Sequence, residues 1–345
     1  MSGRARARFV VSFVVLLALV GGACNRGSKS TSGTGGGGGK IRIGAVTGNF
    51  SNPAVKQMVD AMQAQAKKHS NIQLVVQESA NVEEQISKAQ TMIAQGIKVL
   101  GIHPWEGEAI LAFEKQYSAK GVKFFNLIDD VPGATDKGYA TSFISGDETK
   151  GGELLGQWLA TKLDSGKVAI ITGTPGNFAA IYRTDGFKKG IASKPGLKVV
   201  AESTADWQRD KALPVATDML TANPDLAAIF ANNDEMAFGA LQALKGAGKE
   251  GKVILMGYNG TCIGIEATLK GQFAAEGILP IPQFGQEFVD NALKAGQGQS
   301  VPKTIAPPIV ALTTDDVKAV ADGTKTDVDP SLKVRVDQAA NGQCQ

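Results

Sequence analysis

From position 41 onward, short apolar runs alternate with longer windows whose apolar residues recur every three or four positions. The runs at 41–46, 72–77, 99–103, 123–128, 168–172, 198–202, 227–231 and 253–256 are four to six residues long and lack clean apolar–polar alternation. Strands buried on both faces have that pattern. The windows at 55–68, 83–95, 151–163 and 211–221 read as amphipathic helices between them. Strand–helix repetition predicts parallel sheets with right-handed crossovers. The alternation breaks at 131–143, a Pro- and Gly-bearing stretch that runs into a strand-like segment at 141–145. A first lobe is expected to end there and a second to begin. Further on, 273–279 reads as a strand and 283–294 as a helix, while 304–312 is extended but interrupted by Pro307 and Pro308. The tail from 313 to 345 gives no reading of its own.

Before position 41 the pattern is of another kind. Arg4, Arg6 and Arg8 precede an apolar run at 9–20. A bilayer-spanning helix needs about 20 residues, so this shorter run predicts a signal peptide over 1–23. It ends in Val20-Gly21-Gly22-Ala23-Cys24. Small residues before a single cysteine resemble a bacterial lipobox, with Gly21 standing where such motifs usually carry Leu. The resemblance implies that Cys24 carries lipid. The glycine run at 33–39, flanked by Ser and Thr, makes 24–39 a flexible tether. An extracytoplasmic protein held at a membrane by a lipid anchor is therefore expected.

Composition narrows the function. The chain has 36 Lys+Arg against 33 Asp+Glu, a net charge of +3 for which the three leader arginines account. The rest is near neutral and offers no basic face for nucleic acid. Roughly 300 residues remain after the tether, enough for two compact lobes. The chain has two histidines, His69 and His103, and neither an HExxH motif nor a Cys/His cluster, so no metal site is expected. GxxxxGKS/T is absent and no GxGxxG follows the first strand. Neither a cofactor nor an enzyme is expected. With Cys24 lipidated, Cys262 and Cys344 remain; they either form a disulfide that pins the tail or stay as free thiols.

The candidate chemistry lies at strand tips, above all in 227–260, AAIFANNDEMAFGALQALKGAGKEGKVILMGYNG. The first strand ends in Asn232-Asn233-Asp234, a helix closed by Gly248 follows, and the second strand ends in Tyr258-Asn259-Gly260. Ligands of parallel α/β sheets bind at the carboxyl ends of strands. Two successive amide-bearing tips without an obvious nucleophile suit a grip on a small polar molecule.

This segment resembles the periplasmic sugar-binding proteins of the ribose-binding type, and the resemblance extends over 40–312. It implies an α/β fold of periplasmic binding protein type I: two doubly wound parallel-sheet lobes joined by a three-segment hinge. The lobes would be 41–142 plus 279–306 and 143–278 plus 307–345. In the loop after the first strand, Asn52 matches the family's ligand amide, although it could equally cap the next helix. The family's stacking rings fall on Ala54 and Val55, leaving Phe50 to substitute. His103 stands where sugar binders usually carry Asn, and keeps a donor and an acceptor. Counted from Gly121, the hydroxyl-binding Asp falls on Ile128, so a one-residue shift assigns it to Asp129, with Asp130 beside it. Arg183, in TPGNFAAIYRTDGF, matches an arginine that reaches into the cleft with its rigid fork of donors. Trp207 matches a stacking aromatic and Asn233 a hydroxyl-binding amide. Asn259 replaces the usual Asp, and Ile278 a hinge Gln.

Unmatched polar groups in a buried site cost on the order of 1–3 kcal/mol each, so these changes argue against ribose itself. Another pentose, a polyol, a deoxy sugar or a cyclic diol fits better. The functional expectation is a monomeric substrate-binding lipoprotein of an ABC importer. It would capture a sugar-like small molecule by hinge closure and deliver it to a membrane permease. The alternative is a sensory protein that presents its ligand to a membrane receptor without transport. Repressors of the lactose-repressor type share the two lobes but begin with a helix-turn-helix, where this chain has its leader and glycine run.

Overall fold

In the computed structural model, which describes residues 40–344, the expected alternation becomes two six-stranded sheets. The first contains β1 (Ile41–Thr47), β2 (Ile72–Glu78), β3 (Val99–Ile102), β4 (Lys123–Leu127), β5 (Ser142–Ile144) and β11 (Thr304–Ile305). Its order is β11-β5-β4-β3-β1-β2, with every pair parallel. The second contains β6 (Ser165–Thr172), β7 (Gly196–Thr204), β8 (Leu226–Ala231), β9 (Ile254–Asn259), β10 (Ala275–Ile278) and β12 (Val310–Thr313), in the order β12-β10-β9-β8-β6-β7. Only β12 runs antiparallel there, against β10. The chain re-enters this sheet from the other one and lies down along its edge. In each sheet the winding direction reverses, between β1 and β3 and between β6 and β8. Such reversals open crevices at the carboxyl ends of the strands.

Helices fill the connections, and several begin at a side chain that satisfies their free N–H groups. They are α1 (Pro53–Lys67), α2 (Val82–Ala94), α3 (Gly107–Ser118), α4 (Glu148–Lys162), α5 (Phe178–Ile191), α6 (Arg209–Ala222), α7 (Asp234–Gly246), α8 (Cys262–Leu269) and α9 (Ile281–Gly296). Asn52, Asn81, Asp147, Asn177, Asn233 and Thr261 cap α1, α2, α4, α5, α7 and α8. Between the sheets the chain passes three times: from β5 to α4, from β10 to α9, and from β11 to β12.

One helix pair is unusually close. A Cβ added at Gly152 or Gly156 of α4 would come within 2.2 or 2.3 Å of carbonyl oxygens of α5, and one at Gly186 or Gly190 within 2.1 or 2.3 Å of those of α4. Glycine at all four places lets the two backbones touch.

The tail, unread from sequence, forms α10 (Thr314–Ala321) and α11 (Pro330–Ala340). Thr313 and Asp316 make a reciprocal capping box, and Asp329 caps α11 just before Pro330. Val317, Val320, Leu332 and Val336 pack with Ile265 of α8 and Ile278 of β10. Cys262 and Cys344 are joined as a disulfide. The expected signal peptide, the lipidated Cys24 and the tether lie outside the described residues. Among the described residues no helix is long and apolar enough to cross a membrane.

Candidate functional site

A cavity of about 510 Å³ lies where the strand tips of the two sheets face each other. Ligand pockets typically measure roughly 300–1,000 Å³. Seven of the eight side chains expected to bind line it: Asn52, His103, Asp129, Arg183, Trp207, Asn233 and Asn259. Phe50 is not among the residues that line it. Its neighbours Asn49 and Ser51 face the cavity and Phe50 does not, because its loop turns there: the Phe50 N–H is drawn to Glu78 at 2.9 Å, and Asn49 Oδ1 accepts the Ser51 N–H at 2.8 Å.

On the first-sheet side, His103 and Asp129 form a pair, Nε2 to Oδ2 at 2.8 Å. His103 Nδ1 and Asp129 Oδ1 are buried without a protein partner. With Nε2–H directed at the carboxylate, a neutral His103 turns Nδ1 outward as an acceptor. The pair then presents two acceptors, which suit two ligand hydroxyls. The position of Asp129 follows from the backbone. Its N–H reaches back to Leu127 O at 2.7 Å around Ile128, which has φ 65. That is a γ-turn, costing of order 1–3 kcal/mol at a β-branched residue. Ile128 and Asp129 both line the cavity, whereas Asp130 lines a second hollow of about 260 Å³ beside the crossings. The His103 tip is pinned by buried Gln85, whose Nε2 donates to His103 O at 2.7 Å and whose Oε1 accepts the Trp105 N–H at 3.2 Å. Asn52 caps α1, its Oδ1 accepting the Ala54 N–H at 3.0 Å, and the residue also stands in the cavity wall.

On the second-sheet side Arg183 is the centre, and its fork is mostly taken. Nε and Nη2 donate to Glu148 at 2.8 and 2.9 Å, and Nη1 to Asn232 O at 2.8 Å and to Asn259 Oδ1 at 3.0 Å. One Nη2 hydrogen remains of the five donors. Burial works against its charge, but Glu148 outweighs it and holds the pKa above the ordinary value. Arg183 lies 4.3 Å from the Tyr258 ring and 5.6 Å from the Trp207 ring. Burial and the Glu148 charge keep the Tyr258 phenol protonated.

Asn259, at φ 116, is itself strained. Asn233 is also committed, its Oδ1 to the Met236 N–H at 2.9 Å and its Nδ2 to Trp207 O at 3.2 Å, leaving one amide hydrogen for the cavity. Trp207 and Asp206 adopt φ 66 and 50, and the Trp207 indole lies over Gly173.

Sequence reasoning missed Glu148, and named Asn232 and Tyr258 only as parts of the two strand tips. Glu148 stands at the first position of α4, where an acid normally reads as a helix-start residue. Only the close α4–α5 contact reveals its pairing with Arg183. Charges along the wall are largely paired, with Arg209 on Glu235 and Lys211 on Asp206. The arrangement can offer hydrogen bonds and an aromatic face without a strong net charge.

A family model for the periplasmic binding protein domain matches residues 43–300. The ribose import binding protein of Escherichia coli is 33% identical over 264 residues, which is 76% of this chain and 87% of that one. The chain belongs to the periplasmic binding protein family, in its ribose-binding type. Among solved structures of this family, an ABC transporter solute binding protein from Bacillus halodurans with bound myo-inositol has a TM-score of 0.77 and 26% identity, covering 82% of this chain and 98% of that one. A periplasmic one from Actinobacillus succinogenes with bound D-allose has a TM-score of 0.75 and 29% identity, covering 81% and 99%. These are substrate-binding transport proteins with two α/β lobes, which is the fold described above. The family match ends before β11, so β12, α10 and α11 lie beyond it.

Proposed function

We propose that the protein captures an uncharged, polyhydroxylated small molecule between its lobes and hands it to an ABC permease. In this reading it is a monomeric lipoprotein held outside the cytoplasm by Cys24, and it binds without catalysing. The supporting observation is the convergence of His103 and Asp129 from one lobe with Arg183, Trp207, Asn233 and Asn259 from the other on one cavity. Two acceptors, two amides, one free guanidinium hydrogen and an indole face match a sugar or cyclitol, with hydroxyls at the edge and C–H groups on the face. Relatives named for ribose, D-allose and myo-inositol binding add support for that ligand class. The changed groups His103 and Asn259 favour a ligand other than ribose, whereas Ile278 packs against the tail and does not line the cavity.

A thermal-shift screen of the purified protein against pentoses, hexoses, deoxy sugars, polyols, cyclitols, nucleosides and small diols tests this. A ligand present at 100 times its dissociation constant adds about 2.7 kcal/mol, a shift of several degrees. A hit among sugars or cyclitols is expected. Hits confined to nucleosides remove the sugar assignment, and no hit moves the protein toward the sensory, receptor-facing role.

A further inference from the structure

Beneath the Asn259 tip lies a segment that the family match does not reach. Asn259 holds φ 116 beside Gly260 at φ 69, and the strained backbone of a non-glycine residue persists only where its surroundings over-determine it. Three holds come from the sheet and α5: Leu279 N–H to Asn259 O at 3.1 Å, Gly260 N–H to Glu276 Oε1 at 2.8 Å, and Arg183 Nη1 to Asn259 Oδ1 at 3.0 Å. A fourth comes from the tail. Arg335 of α11 is buried; its Nη1 donates to Gly260 O, and its Nη2 to Leu279 O at 3.1 Å. One guanidinium thus ties the ligand-facing tip to the crossing from β10 to α9, where Leu279 also lines the cavity. Burial lowers the Arg335 pKa to about 10, with Glu276, Asp329 and Asp234 opposing the shift, so it remains charged at neutral pH.

The tail is fastened in turn at both ends. The α10 and α11 apolar faces sit on α8, and the Cys262–Cys344 bridge joins the chain just after α11 to the first residue of α8, two positions past Gly260.

We propose that the C-terminal tail is a brace for the cleft: Arg335 is a positioning residue that sets the Asn259 tip and the Leu279 crossing, and the Cys262–Cys344 bridge keeps it engaged. The proposal rests on the reading of this cavity as the capture site. It makes the cleft sensitive to thiol reduction through a bond that touches no ligand-facing side chain. A tail that only added stability would loosen the whole lobe, whereas a brace loosens the tip and the crossing first.

Hydrogen exchange on the purified full chain without ligand distinguishes the two. The forms compared are wild type with and without reductant, Arg335→Met, Arg335→Lys, Cys344→Ser and, as a control buried in α6, Leu220→Ala. In Arg335→Met the amides of Gly260, Thr261 and Leu279 should exchange at least about tenfold faster, with β6 and β8 of the same sheet unchanged. A smaller rise is expected in Cys344→Ser and in reduced wild type. Arg335→Lys should recover part of the protection, because an ammonium lacks the planar fork that reaches both carbonyls. Leu220→Ala should leave the tip protected. Tip exchange equal to wild type in Arg335→Met, or raised no more than in Leu220→Ala, overturns the proposal. Should Arg335→Met fail to fold, Cys344→Ser and reduced wild type decide, and unchanged tip exchange in both overturns it. No ligand enters this measurement, so failure of the sugar-capture reading appears separately, as silence in the thermal-shift screen.

Discussion

Trp207 owes its place in the cavity wall to what stands behind it. With φ 66 it sits in the left-handed region, its carbonyl held by Asn233 Nδ2, and its indole fills the space where Gly173 has no side chain. A Cβ at Gly173 would stand 2.0 Å from the indole. Gly173→Ala should therefore displace the ring and weaken ligand binding about 2- to 10-fold, in the range of a lost aromatic contact. A titration of variant and wild type checks it; equal affinities would mean that the ring does not contact the ligand. Alanine at Arg183 or Asn233 is a poorer probe of binding. Removing Arg183 strands buried Glu148, which costs about 3–5 kcal/mol, and removing Asn233 takes away the α7 cap at about 1 kcal/mol. Either variant confounds lost affinity with lost stability. A different residue sets a pH dependence. Burial raises the Glu114 carboxyl from 4.5 to about 8, despite its hydrogen bond to Asn126. The folded state therefore keeps a proton that the unfolded state releases, and stability falls as pH rises from about 4.5 to 8. Glu114→Gln, which carries no such proton, should gain melting temperature over wild type at pH 8 and gain little at pH 4. A gain independent of pH would contradict the buried-acid account.

Among the elements, the α4–α5 pair determines where the arginine goes. Four glycines let the helices approach until Glu148 and Arg183 meet. Gly186→Ala places a methyl 2.1 Å from Thr149 O, against backbone that has no rotamer to change. Overpacking of this kind typically costs 1–3 kcal/mol or more. Denaturant unfolding of the variant should show a loss of at least about 2 kcal/mol, with a loss below 0.5 kcal/mol as the contrary result. These glycines also mark the limit of what the sequence makes legible. Strands such as β3 and β9 are legible because a continuous apolar run ending in polar residues suits little besides a buried strand. Asn233 and Asn259 are legible for the same reason, standing at the ends of such runs. The amphipathic pattern of α4 starts at Gly151, three residues inside the helix that begins at Glu148, because glycine lowers helix propensity while close packing here demands it. The Arg183–Glu148 pair joins residues 35 apart and becomes visible only once both helices are placed. The tail does carry local signals, but each is short: Thr313 with Asp316, Asp329 with Pro330, and the spacing of Val317 with Val320 and Leu332 with Val336.

At the scale of the whole molecule, the two lobes already touch, at residues that do not line the cavity. The Phe178 ring of α5 lies where a Cβ on Gly107 of α3 would come within 2.7 Å, and Tyr182 and Asp130 line the second hollow together. Burial raises the pKa of Asp130. A cleft whose ligand groups come from both sides binds fully only when the sides meet, which would couple capture to closure. Capture at this cleft is tested most directly by calorimetric titration of the strongest sugar or cyclitol hit into wild type and Asp129→Asn. The substitution keeps the shape and lets the side-chain oxygen still accept from His103, but it turns the second acceptor into an amide donor. The account predicts one ligand bound per chain, with affinity about 10- to 100-fold weaker in the variant. Equal affinities in the two proteins, or no binding by any member of the panel, would contradict it.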